Sequence, residues 1–290
     1  MRIHLALCLA AVCAAGAGCN LAKDGDGGSP TGPSGPPSAG SAVIYTVVGA
    51  SDGVGWGSSK VCAPFEDCDG NGYPWVVARQ LRGQGMTVEM SPLAIPGAVL
   101  SQNVIGLATQ WGIGGIPGDL STREAPFVRK DSTVVTVFTG GNDVNVISGA
   151  LANDAGASNP DAFIDQQVAS FGADFDAMIA TIRGRAPAAQ IIVLNLPNMA
   201  RVPYRANSQP LLRSWVQRTS VGMTTKVFNT TPNVRVIDLM CDARLYQASS
   251  FSGDGFHPND AGYAIIGQEI ARAITAPSWP APQGSCGFMN

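Results

Sequence analysis

The sequence predicts an α/β fold built around a parallel sheet of five strands, and two observations carry that prediction. From residue 41 onward, short β-branched runs alternate with longer stretches of helical period, the pattern of repeated strand-helix units. The central runs are also almost continuously apolar, as strands covered by helices on both faces must be. With 290 residues, 45% of them apolar, the chain has enough material for one such domain with a buried core.

Taken in order, strands are expected at Val43 to Val48, Met86 to Met90, Thr133 to Phe138, Gln190 to Leu194 and Val234 to Ile237. Between the third and fourth, Ile164, Val168, Phe171, Phe175, Met178 and Ile182 step by four and three residues, which paints one stripe on a long helix that Gly184 and Pro187 stop. A last helix shows Tyr263, Ile266, Ile270 and Ile274 on one face, with Asn259 or Asp260 as its N-cap. Fainter helical periods cover Tyr73 to Leu81, Ala98 to Trp111 and Leu211 to Phe228. Gly112 to Pro126 and Ser148 to Pro160 read as long loops, either walls of a pocket beyond the carboxyl ends of the strands or plain surface.

Ahead of this domain, assigned to residues 41–290, residues 1–18 read as an export signal: an early arginine, an apolar stretch too short to span a bilayer, then small residues. Its end is ambiguous. Ala15-Gly16-Ala17 fits a small-x-small cleavage site, whereas Gly16-Ala17-Gly18-Cys19 resembles a lipoprotein box without its usual leucine, which would make Cys19 the lipidation site. Residues 19–40, rich in Gly, Pro and Ser, have the composition of a flexible tether. Two locations follow: an outer-membrane or cell-surface lipoprotein, or a periplasmic or freely secreted protein.

Setting aside Cys8, Cys13 and Cys19 leaves Cys62, Cys68, Cys241 and Cys286, and an even number in an exported chain favours disulfides over buried thiols. Of three possible connectivities, a local Cys62–Cys68 loop and a Cys241–Cys286 staple for the C-terminal tail are expected. A net charge of -3 without a basic cluster argues against nucleic acid as a partner. Membrane contact is expected only through the N-terminal lipid, and the chain is expected to be a monomer.

Four short runs carry chemistry. Gly49-Ala50-Ser51-Asp52 follows a strand, where a serine in a glycine-flanked turn stands exposed as a nucleophile once a base lies beside it. Ile95-Pro96-Gly97-Ala98 offers a glycine N–H toward developing negative charge, and Thr139-Gly140-Gly141-Asn142-Asp143 offers the Asn142 amide to the same oxyanion. Asp254-Gly255-Phe256-His257 contains the one histidine left after the leader is removed; the aspartate can hold one ring nitrogen while the other takes a serine proton. Asp238 is a fallback for the acid. One histidine cannot supply the usual metal ligand sets, and no phosphate-binding glycine loop is present, so neither metal nor cofactor is expected.

These four runs, in this order, resemble the SGNH hydrolase superfamily of GDSL esterases and lipases, over about Val43 to Thr275. The resemblance implies a flavodoxin-like, three-layer α/β/α fold and a serine hydrolase that cleaves carboxylic esters through an acyl-enzyme intermediate. It also implies Ser51 as nucleophile, His257 as general acid/base, Asp254 as its orienting acid, and an oxyanion hole from the Ser51 and Gly97 N–H groups and the Asn142 side chain. One departure is visible: the usual Gly-Asp-Ser-Leu reads Gly-Ala-Ser-Asp, which leaves Asp52 to hold the turn through a backbone N–H. An acyltransferase of the same fold and a non-catalytic glycan-binding surface lipoprotein are the alternatives. The expected substrate is a small-molecule, glycan or lipid ester, with Trp56 and Trp111 as candidate walls of the acyl site.

Overall fold

The computed structural model describes residues 35–228 and 234–290. The expected leader, Cys19 and most of the tether lie outside the described residues.

Five strands form a single parallel sheet: β1 (Ala42–Gly49), β2 (Thr87–Pro92), β3 (Val134–Phe138), β4 (Gln190–Leu194) and β5 (Val234–Ile237), in the spatial order β2-β1-β3-β4-β5. This is the flavodoxin-like order. β1 is interior because Tyr45–Gly49 pairs with Val134–Phe138 on one side while Ala42–Val47 pairs with Thr87–Pro92 on the other. Every residue of β3 is buried, as the apolar run requires of a strand covered on both faces.

Helices α1 (Tyr73–Gly83), α2 (Gln102–Gln110), α3 (Leu120–Arg123), α4 (Gly141–Ala152), α5 (Pro160–Arg185), α6 (Pro210–Phe228) and α7 (Asp260–Thr275) complete the described fold. Right-handed crossovers put the β1-to-β2 connection on one face of the sheet and the β3-to-β4 and β4-to-β5 connections on the other. Accordingly α1 packs with α7, and α5 packs with α6, which also touches α4. The six apolar residues of the predicted stripe on α5 are all buried, and Asn159 starts that helix by accepting from the Ala162 N–H at 3.0 Å.

The expected disulfides Cys62–Cys68 and Cys241–Cys286 are both formed. Two expectations are corrected. Residues 148–152 continue α4: Val144, Ile147 and Leu151 carry a helical stripe that Gly141, Gly149 and two asparagines dilute in the sequence. At its other expected boundary, the segment from Ala98 is extended and helix α2 begins only at Gln102, because Leu100 N–H is drawn to Asp143 Oδ1 at 3.0 Å and Val99 bridges to Asp119. The long loop after α2 also contains α3, capped by Asp119, which accepts from Thr122 N–H at 2.8 Å.

Candidate active site

The loops after β1, β2 and β3 open at the same edge of the sheet, where a parallel α/β sheet binds its ligands. Ser51 starts a short 3-10 turn directly after β1 and is 7% exposed. Opposite it, the loop that leads into α7 carries His257, and Asn259 caps the helix by accepting from Ala261 and Gly262 N–H. Gly57 lets these loops touch: its φ is +91°, and a Cβ there would lie 2.6 Å from the Pro258 carbonyl oxygen and 2.8 Å from His257 Cβ.

His257 Nε2 lies 2.8 Å from Ser51 Oγ, and His257 Nδ1 lies 2.6 Å from Asp254 Oδ2. A carboxylate can only accept, so Nδ1 carries the proton and Nε2 is left to accept from the serine hydroxyl. Asp254 Oδ1 also accepts from the Phe256 and His257 N–H groups at 2.8 and 2.9 Å and from Ser252 Oγ at 2.8 Å. Partial burial opposes ionisation of Asp254, but the hydrogen bonds from His257, Phe256 and Ser252 outweigh it and hold the carboxyl well below the usual range.

Asp238 is not part of this chain of bonds. It accepts from Asn195 Nδ2 at 2.9 Å, from Cys241 N–H at 3.2 Å and from Gln283 N–H at 2.9 Å, tying β5 to the C-terminal tail. The expectation that Asp52 pins its turn is also revised. Asp52 Oδ1 lies 3.2 Å from the Tyr263 hydroxyl, whose 2.7 Å bond to the Trp56 carbonyl joins the serine loop to α7, and burial pushes the Asp52 carboxyl upward.

Gly97 and Asn142 meet across the pocket from Ser51. Asn142 Nδ2 donates one hydrogen to the Ala98 carbonyl at 2.8 Å, which leaves its second hydrogen for another acceptor. The φ of +83° at Gly97 is open to glycine and strained for other residues. Asp143, fully buried, reaches the same segment through Leu100 N–H, and burial pushes its carboxyl up to about 7.

Glu124, which has no signal in the sequence beyond being an acid in a Gly/Pro-rich stretch, is fully buried. Its Oε2 accepts from Gly49 N–H at 2.8 Å and its Oε1 from Ile95 N–H at 3.2 Å. One carboxyl thus joins the loops of Ser51 and Gly97, each bond two residues upstream of the candidate oxyanion donor. Burial pushes this carboxyl well above its ordinary range.

Two spaces meet at Ser51 and Asn142. One is a narrow, mostly apolar pocket behind the serine; the other is an open cleft rimmed by Trp56, Tyr204 and Phe256. Trp56 therefore stands at the site, but Trp111 packs partly buried against the core and lines neither space. Among the described residues no group of three or more His, Cys, Asp or Glu side chains is arranged to hold a metal ion.

The family of the chain is decided by its match to known sequences. The model of the GDSL-like lipase/acylhydrolase family matches residues 47–265, from within β1 to α7. The chain belongs to the GDSL-like lipase/acylhydrolase family. Membership makes ester hydrolysis the general class of its chemistry. A search of curated protein sequences returns no match.

Solved structures agree on the fold of this GDSL-like protein. It is similar to phospholipase A1 from Streptomyces albidoflavus NA297, with a TM-score of 0.53 and 17% identity over 81% of this chain and 100% of that one. The extracellular lipase from Streptomyces rimosus gives 0.51 and 17% over 81% and 100%, and the lipase Lip_vut3 from a goat rumen metagenome gives 0.50 and 19% over 80% and 97%. At such identities the likeness bears on architecture alone.

Proposed function

We propose that this protein is a serine esterase working through an acyl-enzyme intermediate, with Ser51 as nucleophile, His257 as general acid/base and Asp254 as the group that orients the imidazole. The observation that carries the reading is the continuous hydrogen-bonded path from Asp254 through His257 to Ser51, with steps of 2.6 and 2.8 Å. As Ser51 Oγ attacks the ester carbonyl, its proton passes to His257 Nε2 and the imidazolium is stabilised by Asp254. The oxyanion is held by the Ser51 and Gly97 N–H groups and the free hydrogen of Asn142 Nδ2, each donor contributing roughly 3–4 kcal/mol to the transition state. His257 then protonates the departing alcohol, and water repeats the sequence in reverse to release the acid.

The two disulfides support an oxidising compartment, consistent with an exported chain. We read residues 1–18 as its leader, residues 19–40 as a tether lipidated at Cys19, and residues 41–290 as the hydrolase domain.

Hydrolysis of p-nitrophenyl acetate by the wild type and its Ser51→Ala variant tests the assignment, together with labelling by a fluorophosphonate. Loss of both activity and label in Ser51→Ala is expected. A variant that keeps either one would remove Ser51 from the nucleophile's role.

A further inference from the structure

The two spaces at Ser51 differ in width and openness, and that difference bears on which half of an ester goes where. The narrow pocket is about 50 Å³ and is walled largely by Phe138, Leu196, Met199, Leu245, Phe256 and Ile266. The open cleft is about 460 Å³ and runs from Gly97 past Asn145 to Trp56 and Tyr204. Ser51, Asn142 and Phe256 line both, so the two spaces meet at Ser51.

We propose that the narrow pocket takes the acyl group and admits only acetyl or propionyl, while the open cleft takes a polar ring-shaped alcohol, a sugar, held against Trp56 and Tyr204. This rests on Ser51 being the nucleophile. An apolar cavity of ~150 Å³ holds a benzene ring, so one of 50 Å³ holds about two carbons. Its walls are core side chains: Leu196 and Leu245 are each 4% exposed and Ile266 is 2% exposed, and interiors packed to that degree do not open for an added methylene without strain.

The cleft has the opposite character. Trp56 and Tyr204 are 50% and 53% exposed, and both line the cleft that also holds His257. Asn145 lines the same cleft, and Arg205 both donates to Asn145 Oδ1 at 2.6 Å and stacks 4.8 Å from the Tyr204 ring. Rings for the C–H faces of a sugar, with amide and guanidinium groups for its hydroxyls, make a surface for a polar ring. A fatty alcohol or a second acyl chain would leave those polar groups unpaired.

The test uses the full chain with p-nitrophenyl acetate, butyrate and octanoate, and with glucose pentaacetate against ethyl acetate. Wild type is expected to favour acetate over octanoate by at least tenfold in kcat/KM, since forcing extra methylenes against well-packed walls costs on the order of tenfold or more. Leu245→Ala, and independently Met199→Ala in case the first variant fails to fold, should shift the preference toward butyrate. Trp56→Ala and Tyr204→Ala should raise KM for glucose pentaacetate more than for ethyl acetate. Octanoate cleaved as fast as acetate by a protein that still takes one fluorophosphonate at Ser51 would overturn the division of the substrate and leave the serine mechanism standing. Absence of the label would overturn both.

Discussion

Replacing Glu124 by glutamine tests whether one buried carboxyl holds the nucleophile loop and the oxyanion loop in register. In the native protein Oε2 accepts from Gly49 N–H at 2.8 Å and Oε1 from Ile95 N–H at 3.2 Å, and the site is closed to water. A glutamine has one acceptor oxygen, so its NH₂ group must face one of those N–H groups. A buried donor left without a partner costs about 1–3 kcal/mol. At roughly 2–4 °C per kcal/mol for a domain of this size, Tm should fall by several degrees.

The rate effect is separate. Gly97 N–H lies two residues beyond Ile95, so a loosened Ile95 lets that donor drift from the oxyanion. Complete loss of one such donor costs about 10²–10³ in kcat, and partial drift should cost about 10- to 100-fold, with KM for p-nitrophenyl acetate changing less than threefold on the order-of-magnitude scale of binding effects. Steady-state kinetics, together with fluorophosphonate labelling and a thermal melt of the same sample, separate the two effects. A Glu124→Gln protein with lowered Tm and unchanged kcat would refute the positioning argument and leave Glu124 a stability residue only.

Asp254→Asn should lower kcat by about 10³–10⁴, because an amide facing Nδ1 favours the wrong tautomer, whereas Asp238→Asn should lower Tm and leave kcat within about twofold; steady-state kinetics and thermal melts on both variants check this. Replacing Cys241 and Cys286 together by serine opens a loop of 45 residues in sequence separation, worth about 4 kcal/mol of stability in the chain-entropy account, to be read from urea melts without reductant. Asp143 has its folded pKa raised to about 7 by burial, so the folded state resists its ionisation: its own contribution to stability is greatest below the ordinary carboxyl range and falls as pH rises toward 7, by about 4 kcal/mol once both states are ionised. Calorimetry of Asp143→Asn should therefore show a Tm that depends less on pH between 5 and 8 than the wild type does.

Much of this fold is legible in the sequence because strands and helices announce themselves through the spacing of apolar residues. The runs at Thr133 to Phe138 and Gln190 to Leu194 and the stripe from Ile164 to Ile182 coincide with β3, β4 and α5 to within a few residues at their ends. Helix α4 is obscured because the Gly140-Gly141-Asn142 run that serves the site also weakens its helical signal. Ser51, Gly97, Asn142 and His257 are visible because each stands in a distinctive short run, and the structure brings all four to one edge of the sheet. Glu124 is not visible, since its importance lies in two backbone N–H groups from loops far apart in sequence that meet only in the folded chain. Trp56 and Trp111 are equivalent on paper; only packing shows that one faces the cleft and the other the core.

The strand order explains why the runs occur in their sequence order. β1 lies between β2 and β3, so the chain reverses its direction of winding there, and the loops after β1, β2 and β3 open onto the same crevice. Serine, glycine and asparagine therefore follow the numbering of the strands, and histidine comes last because α7, which follows its loop, packs against α1 and brings it over Ser51. The departure from the usual Gly-Asp-Ser-Leu falls at two positions on a wall of this crevice: Ala50 and Asp52 both line the narrow pocket. A carboxylate in place of Ala50 would be desolvated among Phe138, Leu196 and Ile266, at a cost that burial of an unpaired charge always carries. An alanine at position 50 instead keeps that part of the wall apolar, while Asp52 beside it is bonded by the Tyr263 hydroxyl.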